Sequence, residues 1–202
     1  ASVLGYTLAN SEPVILKENV ASMLAEIEAA ATEVTSADFP LTITDDMDRL
    51  VTIEGIPQKI VSIAPSCTEI LFAVGAGDKV VGRTDYCDYP EEAKQKKVVT
   101  SYFTGTDPEL IVEADPDLIL SDGYAPICGT LEGLGLTMVV LQPKDTPGIL
   151  ENIALVGRIT GKEAEARQLI NEMKERVHEI VTKTAGAERP WVFYEIDASG
   201  VA

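Results

Sequence analysis

Residues 60–93 read IVSIAPSCTEILFAVGAGDKVVGRTDYCDYPEEA, and this stretch decides the fold. It opens on an apolar, β-branched run (Ile60-Val61-Ser62-Ile63) and passes Pro65 into a helical stretch at Thr68–Val74. It then turns at Gly75-Ala76-Gly77 and starts a second apolar run at Val80. The same unit repeats downstream. Apolar runs begin near Val98 (VVT), Leu118 (LIL) and Met138 (MVVL), separated by short helical stretches at Pro90–Lys94, Pro108–Glu113 and Ile127–Gly133. Continuous rather than alternating apolar runs belong to strands buried on both faces. Strands alternating with short helices about every 20 residues imply right-handed crossovers and a parallel sheet. The expected class is therefore α/β, a small parallel sheet with helices on both faces.

The flanks differ in pattern. Upstream, Leu41–Ile53 alternates as a hairpin, LTI and LVTI around the turn Asp45-Asp46-Met47-Asp48. That acidic turn is not a calcium loop, because an EF-hand starting at Asp45 would need Gly and Glu where Leu50 and Ile56 stand. Before it, Leu16, Val20, Leu24, Ile27, Ala31 and Val34 recur at helical spacing, which predicts one amphipathic helix between Pro13 and Thr35. Downstream, Thr146–Ile159 is a helix stopped by Gly161. Lys162–Lys183 is a longer one, with Ala166, Leu169, Ile170, Met173, Val177, Ile180 and Val181 on one stripe. After Gly186–Pro190 comes WVFYEI, Trp191–Ile196, a strand expected to begin a further unit that continues beyond Ala202.

Composition narrows the chemistry. Hydrophobic residues make up 46% of the 202, enough for a buried core. The formal charge of −17 opposes binding to nucleic acid and anionic lipid, which need clustered Lys and Arg. Cys67, Cys87 and Cys128 lie far apart, and their odd number leaves at least one unpaired within the chain. There is no C-x-x-C, and His178 is the sole histidine, which argues against a structural zinc site. Gly75-Ala76-Gly77 follows a helix and precedes a strand, the reverse of a dinucleotide fingerprint, and is better read as a helix-ending turn. Gly157–Lys162 is one residue short of a phosphate loop and has Glu163 where Ser or Thr is required, so it reads as a helix–helix turn. His178, off the apolar stripe, is expected to face solvent rather than serve a cysteine. The acidic pairs Glu91-Glu92 and Asp115/Asp117 read as solvated loop residues. No constellation combines nucleophile, base and orienting group, and neither an enzyme activity nor a bound cofactor is expected.

What stands out is a set of loops at the carboxyl ends of successive strands, where open parallel sheets take their ligands. These are Ala64–Glu69, with Ser66, Cys67 and the backbone N–H groups of a helix start; Arg83–Pro90; Ser101–Gly105; and Ser121–Tyr124. The chain is poor in aromatics, with one Trp, six Tyr and four Phe, yet Tyr86, Tyr89, Tyr102, Phe103 and Tyr124 all fall in these loops. Packing beneath a loop suits Tyr89 beside Pro90; the set as a whole points to a flat, partly apolar ligand.

From Ile60 onward the chain resembles the extracytoplasmic solute-binding proteins of ABC importers for vitamin B12, haem and ferric siderophores. The resemblance rests on the opening stretch, on TGTDPELIVEADPDLIL (104–120) and on LEGLGLTMVVL (131–141), and it runs over about residues 40–200. It implies a two-lobed protein with one long helix as a spine, a metal chelate held between the lobes, and a membrane permease as partner. It also implies an extracytoplasmic location. On that template residues 1–36 are a helical flank of unknown role and 37–160 are the first lobe. Residues 161–186 are the spine, and 187–202 are the start of a second lobe. The resemblance implies Tyr86 and Phe103 as aromatics packing on a corrin-like ligand. A third aromatic position falls on Asp122, with Tyr124 as its neighbouring substitute. Glu109 is implied as the acidic residue that pairs with permease arginines. A different class, a sensory or scaffold module binding a partner protein through the same lobe, is the alternative.

Overall fold

The computed structural model describes residues 20–32, 34–101, 108–123 and 128–188. Five parallel strands form the central sheet: β3 (Ile60–Ser62), β4 (Val80–Thr84), β5 (Lys97–Thr100), β6 (Leu118–Ser121) and β7 (Met138–Val140). They lie in the order β5-β4-β3-β6-β7. Their short apolar runs become strands because neighbouring helices shield both faces. Ile60, Leu118, Leu120, Val139 and Leu141 face one layer, built by α2 (Pro65–Ala73) and α5 (Thr146–Thr160). Val61, Ile63, Ile119, Met138 and Val140 face the other, where α3 (Pro108–Glu113) supplies Ile111 and α4 (Cys128–Gly133) supplies Leu131. The alternation along each strand thus divides one apolar run between two cores, as expected of a doubly covered sheet.

The turns follow the predicted chemistry. Gly75 adopts φ +74 just after α2, and Ala76 N–H reaches back to Leu71 O at 2.8 Å, a Schellman-type stop. Gly161, at φ +71, ends α5, and Lys162 N–H bonds to Gly157 O at 2.7 Å. The helix α6 (Glu163–Thr184) then packs back along α5. A Cβ on Gly157 would stand 2.4 Å from Ala166 Cβ, so this close crossing requires glycine. At about 1.5 Å per residue the 22-residue α6 is roughly 33 Å long. Ala166 and Ile170 are buried and Leu169, Met173 and Val177 pack against the core. Toward the end of the stripe Ile180 is exposed and Val181 half-buried. Trp191–Ile196 lie outside the described residues.

The hairpin forms as read, with β1 (Leu41–Thr44) antiparallel to β2 (Leu50–Ile53) and Leu41 opposite Ile53. The amino-terminal helix α1 (Val20–Ala29) is shorter at its end than its periodicity predicts. Ala31 takes φ +49 and breaks the helix, although Val34 beyond it is still buried. Lys174 of α6 explains how that end is closed: its Nζ donates to Glu28 O at 2.9 Å and Ala30 O at 2.6 Å, satisfying carbonyls the helix leaves open. Arg167 donates to Val34 O. α1 and the buried Val34 beyond it therefore pack with α5 and α6.

Candidate functional site

The strand order reverses direction between β3 and β6, and open α/β sheets leave a crevice at such a point, beyond the carboxyl ends of the two strands. The loops that flank it are the β3–α2 turn and Asp122-Gly123. In the first, α2 begins at Pro65, three residues before the predicted start, because proline fits the first helical position. Ser66 therefore sits in the helix's first turn, exposed, where backbone N–H groups lack intrahelical partners. A buried chain of hydroxyls fixes the turn: Thr68 Oγ1 donates to Ser62 Oγ at 2.7 Å, and Ser62 Oγ donates to Ala64 O at 3.1 Å. Neither Ser62 nor Thr68 was singled out from the sequence; a hydroxyl inside an apolar strand run is the signal that could have found them.

Cys67 stands differently from its neighbour. It is 0% exposed and belongs to the core, so the expectation that it faces a ligand beside Ser66 is corrected: it supports the rim from beneath. Burial, and then the negative charge of Asp122, push its thiol pKa well above the ordinary value. It is a neutral thiol, not a nucleophile. Cys67 and Cys87 are both buried and neither is in a disulfide. His178 is exposed on α6, in a depression lined by Glu28, Asn171 and Glu175, as its position off the stripe predicted.

The loop after β4 is organised by Thr84. Its Oγ1 accepts from Tyr86 N–H at 3.2 Å and pairs with Cys87 Sγ at 3.1 Å, and its carbonyl accepts from Cys87 N–H. Asp85 N–H bonds to Thr100 O, and Asp85 Oδ2 accepts from Ser101 Oγ at 2.8 Å, tying this loop to the end of β5. Buried Arg83 donates to Thr84 O and Lys94 O, joining β4 to the 3-10 turn Glu91–Gln95. On this frame the side chain of Tyr86 is held outward, 52% exposed. Tyr89 is 67% exposed, so the packing role read for it beside Pro90 is also corrected: it borders a surface groove with Phe72 and Pro90.

The hairpin turn closes the β7 side. Asp45, nearly fully buried, accepts from the N–H groups of Met47, Arg49 and Val140 and from the Arg49 side chain. Burial opposes its charge, but the Arg49 side chain and these N–H groups outweigh it and hold the carboxyl below its ordinary 3.8. Asp46 Oδ2 accepts from Gln142 N–H at 2.6 Å and Asn152 Nδ2 at 2.8 Å. Asp117 likewise accepts from Gln58 N–H and Lys59 N–H and so anchors the start of β3, while Asp115 is a solvated acid that makes a surface pair with Lys59.

The structure thus gathers Ser66, Cys67 and Asp122 at the switch point and Tyr86 on the adjoining loop. Glu109 stands apart, exposed in the first turn of α3, beside Val112, Thr130 and Leu134. Tyr102, Phe103 and Tyr124 lie outside the described residues. Geometry of this kind defines a class, an open α/β sheet presenting a polar and aromatic rim at its switch point.

The chain belongs to the periplasmic binding protein family, whose model matches residues 60–201. It is 34% identical, over 78% of its own length and 52% of the relative's, to an uncharacterized ABC transporter substrate-binding lipoprotein, YvrC, of Bacillus subtilis. It is 29% identical to a cobalamin-binding protein of Halobacterium salinarum, over 80% of this chain and 45% of that one. The crystal structure of the periplasmic vitamin B12 binding protein BtuF of Vibrio cholerae superposes with a TM-score of 0.61 at 28% identity. That match covers 66% of this chain and 53% of that one. The chain spans about half the length of the curated relatives it matches.

Proposed function

We propose that this chain is the first-lobe portion of the solute-binding component of an ABC importer, acting outside the cytoplasm. It captures a metal chelate (a cobalamin, haem or ferric siderophore) and delivers it to the membrane permease without chemical conversion. In this reading residues 37–160 form the lobe, 161–186 the spine and 187–202 the start of a second lobe. The observation that carries it is the rim beyond the carboxyl ends of neighbouring strands: Tyr86 faces outward on the loop after β4, α2 opens after β3, and Asp122 follows β6. A planar chelate offers a π face to Tyr86, with Phe103 and Tyr124 as further ring contacts, while Ser66 and Asp122 meet polar substituents. Cys67 holds the α2 start against the core. The vitamin B12 and cobalamin specificities of BtuF and the Halobacterium relative favour a corrinoid among the three.

Glu109 is proposed as a contact to permease arginines. A single exposed pair contributes only about 0–1 kcal/mol, so docking requires several acidic groups acting together, which the charge of −17 supplies. The test is titration of the full-length protein with cyanocobalamin, haemin and a ferric hydroxamate chelate, followed by visible absorbance. Saturable binding at micromolar or lower concentration is expected for one of them. Absence of binding to all three contradicts the reading. Glu109→Arg is expected to lower uptake and leave that affinity unchanged; unaltered uptake removes the docking assignment.

A further inference from the structure

The β1–β2 turn lies far in sequence from the strand-end loops, yet it is fixed beside them. Asp45 and Asp46 bind the backbone of Val140 and Gln142 at the carboxyl end of β7, and Asp46 N–H donates to Val140 O at 3.2 Å. Directly after these tethers stands Met47, its N–H donating to Asp45 Oδ1 at 3.0 Å. Its sulfur lies over the loop after β6: a Cβ placed on Gly123 would be 3.4 Å from Met47 Sδ, and Gly123 follows Asp122 directly. Yet Met47 is 50% exposed. A scattered surface apolar residue is ordinary. This one is held on a turn anchored by the buried carboxylate of Asp45 and the exposed one of Asp46, and it borders the same loop as Asp122.

We propose that the hairpin turn is a further wall of the ligand rim and that Met47 is a ligand-contacting residue, offering its thioether to the face or edge of the chelate's ring. This rests on the chelate-binding reading above. Methionine suits the position because its unbranched, polarizable side chain moulds to flat π systems of differing outline. The turn beneath it is tied by backbone hydrogen bonds to Asp45 and Asp46, while the unbranched side chain keeps several rotatable bonds. On this view β7, the edge strand, contributes to the site by gripping the hairpin.

The experiment compares Met47→Ser, Met47→Leu and Tyr86→Ala in the full-length protein, titrated with cyanocobalamin, haemin and a ferric hydroxamate chelate, with thermal midpoints measured alongside. Met47→Ser is expected to weaken binding about fivefold at an unchanged midpoint, and Met47→Leu to stay within about twofold of the unaltered protein, since leucine keeps the apolar surface. Unchanged affinity in Met47→Ser beside weakened Tyr86→Ala overturns the hairpin wall and leaves the chelate reading standing. Equal weakening in Met47→Ser and Met47→Leu also overturns it, because apolar contact is then not what acts. Failure of the unaltered protein to bind any of the three overturns both.

Discussion

Two acidic loops at the same rim, the hairpin turn 45–48 and the β4 loop 84–89, use their side chains in opposite ways. In the hairpin two of the acids are engaged internally: Asp45 and Asp46 together accept from two stretches of backbone, the turn itself and the end of β7, and from Asn152. In the β4 loop the hydroxyl of Thr84 and the carboxylate of Asp85 do the internal work, and the large side chain of Tyr86 projects outward. Charge in a rim loop is therefore a poor guide to ligand contact here. A carboxylate that is buried on backbone N–H groups is a structural clamp, whereas Tyr86 keeps half of its surface in water on a hydrogen-bonded frame.

The sharpest way to break this contrast is to remove the clamp. Asp45→Ala strands several N–H donors and the Arg49 guanidinium, and should cost about 3 kcal/mol in denaturant unfolding. A cost below about 1 kcal/mol would show that the carboxylate is dispensable. The cost should also depend on pH. Because the folded carboxyl titrates below its ordinary 3.8, its contribution is complete above the unfolded-state value. It is lost as pH falls through the folded-state value, so the stability difference between the unaltered protein and the Asp45→Ala variant should shrink in acid below about pH 4. Asp46→Ala, with two donors released, should cost about 1.5 kcal/mol by the same measurement. Thr84→Val removes the acceptor for Tyr86 N–H and the Cys87 pairing and should cost about 1 kcal/mol. Smallest of all, Tyr86→Ala should change stability by no more than about 0.5 kcal/mol, since half of its surface is already in water.

The sheet was legible because burial on both faces forces continuous apolar runs, and all five runs from Ile60 to Met138 became strands. Glycine turns were legible because chirality leaves few alternatives at Gly75 and Gly161. What escaped the sequence is long-range polar pairing. Nothing near Asp45 announces that its partner is Val140, and nothing near Lys174 points to the carbonyls of Glu28 and Ala30. The rim itself was half legible. Ser66, Tyr86 and Asp122 could be placed from strand ends alone, but the inward turn of Cys67 and the outward turn of Tyr89 depend on how each loop is hydrogen-bonded and packed.

The central claim is that the outward aromatic recognises ligand while the clamped acids only hold the rim in place. Titrating Tyr86→Ala of the full-length protein with the chelate that the unaltered protein binds tests it most directly. The account predicts an affinity about tenfold weaker, the loss of roughly one ring contact. An affinity equal to that of the unaltered protein would contradict it.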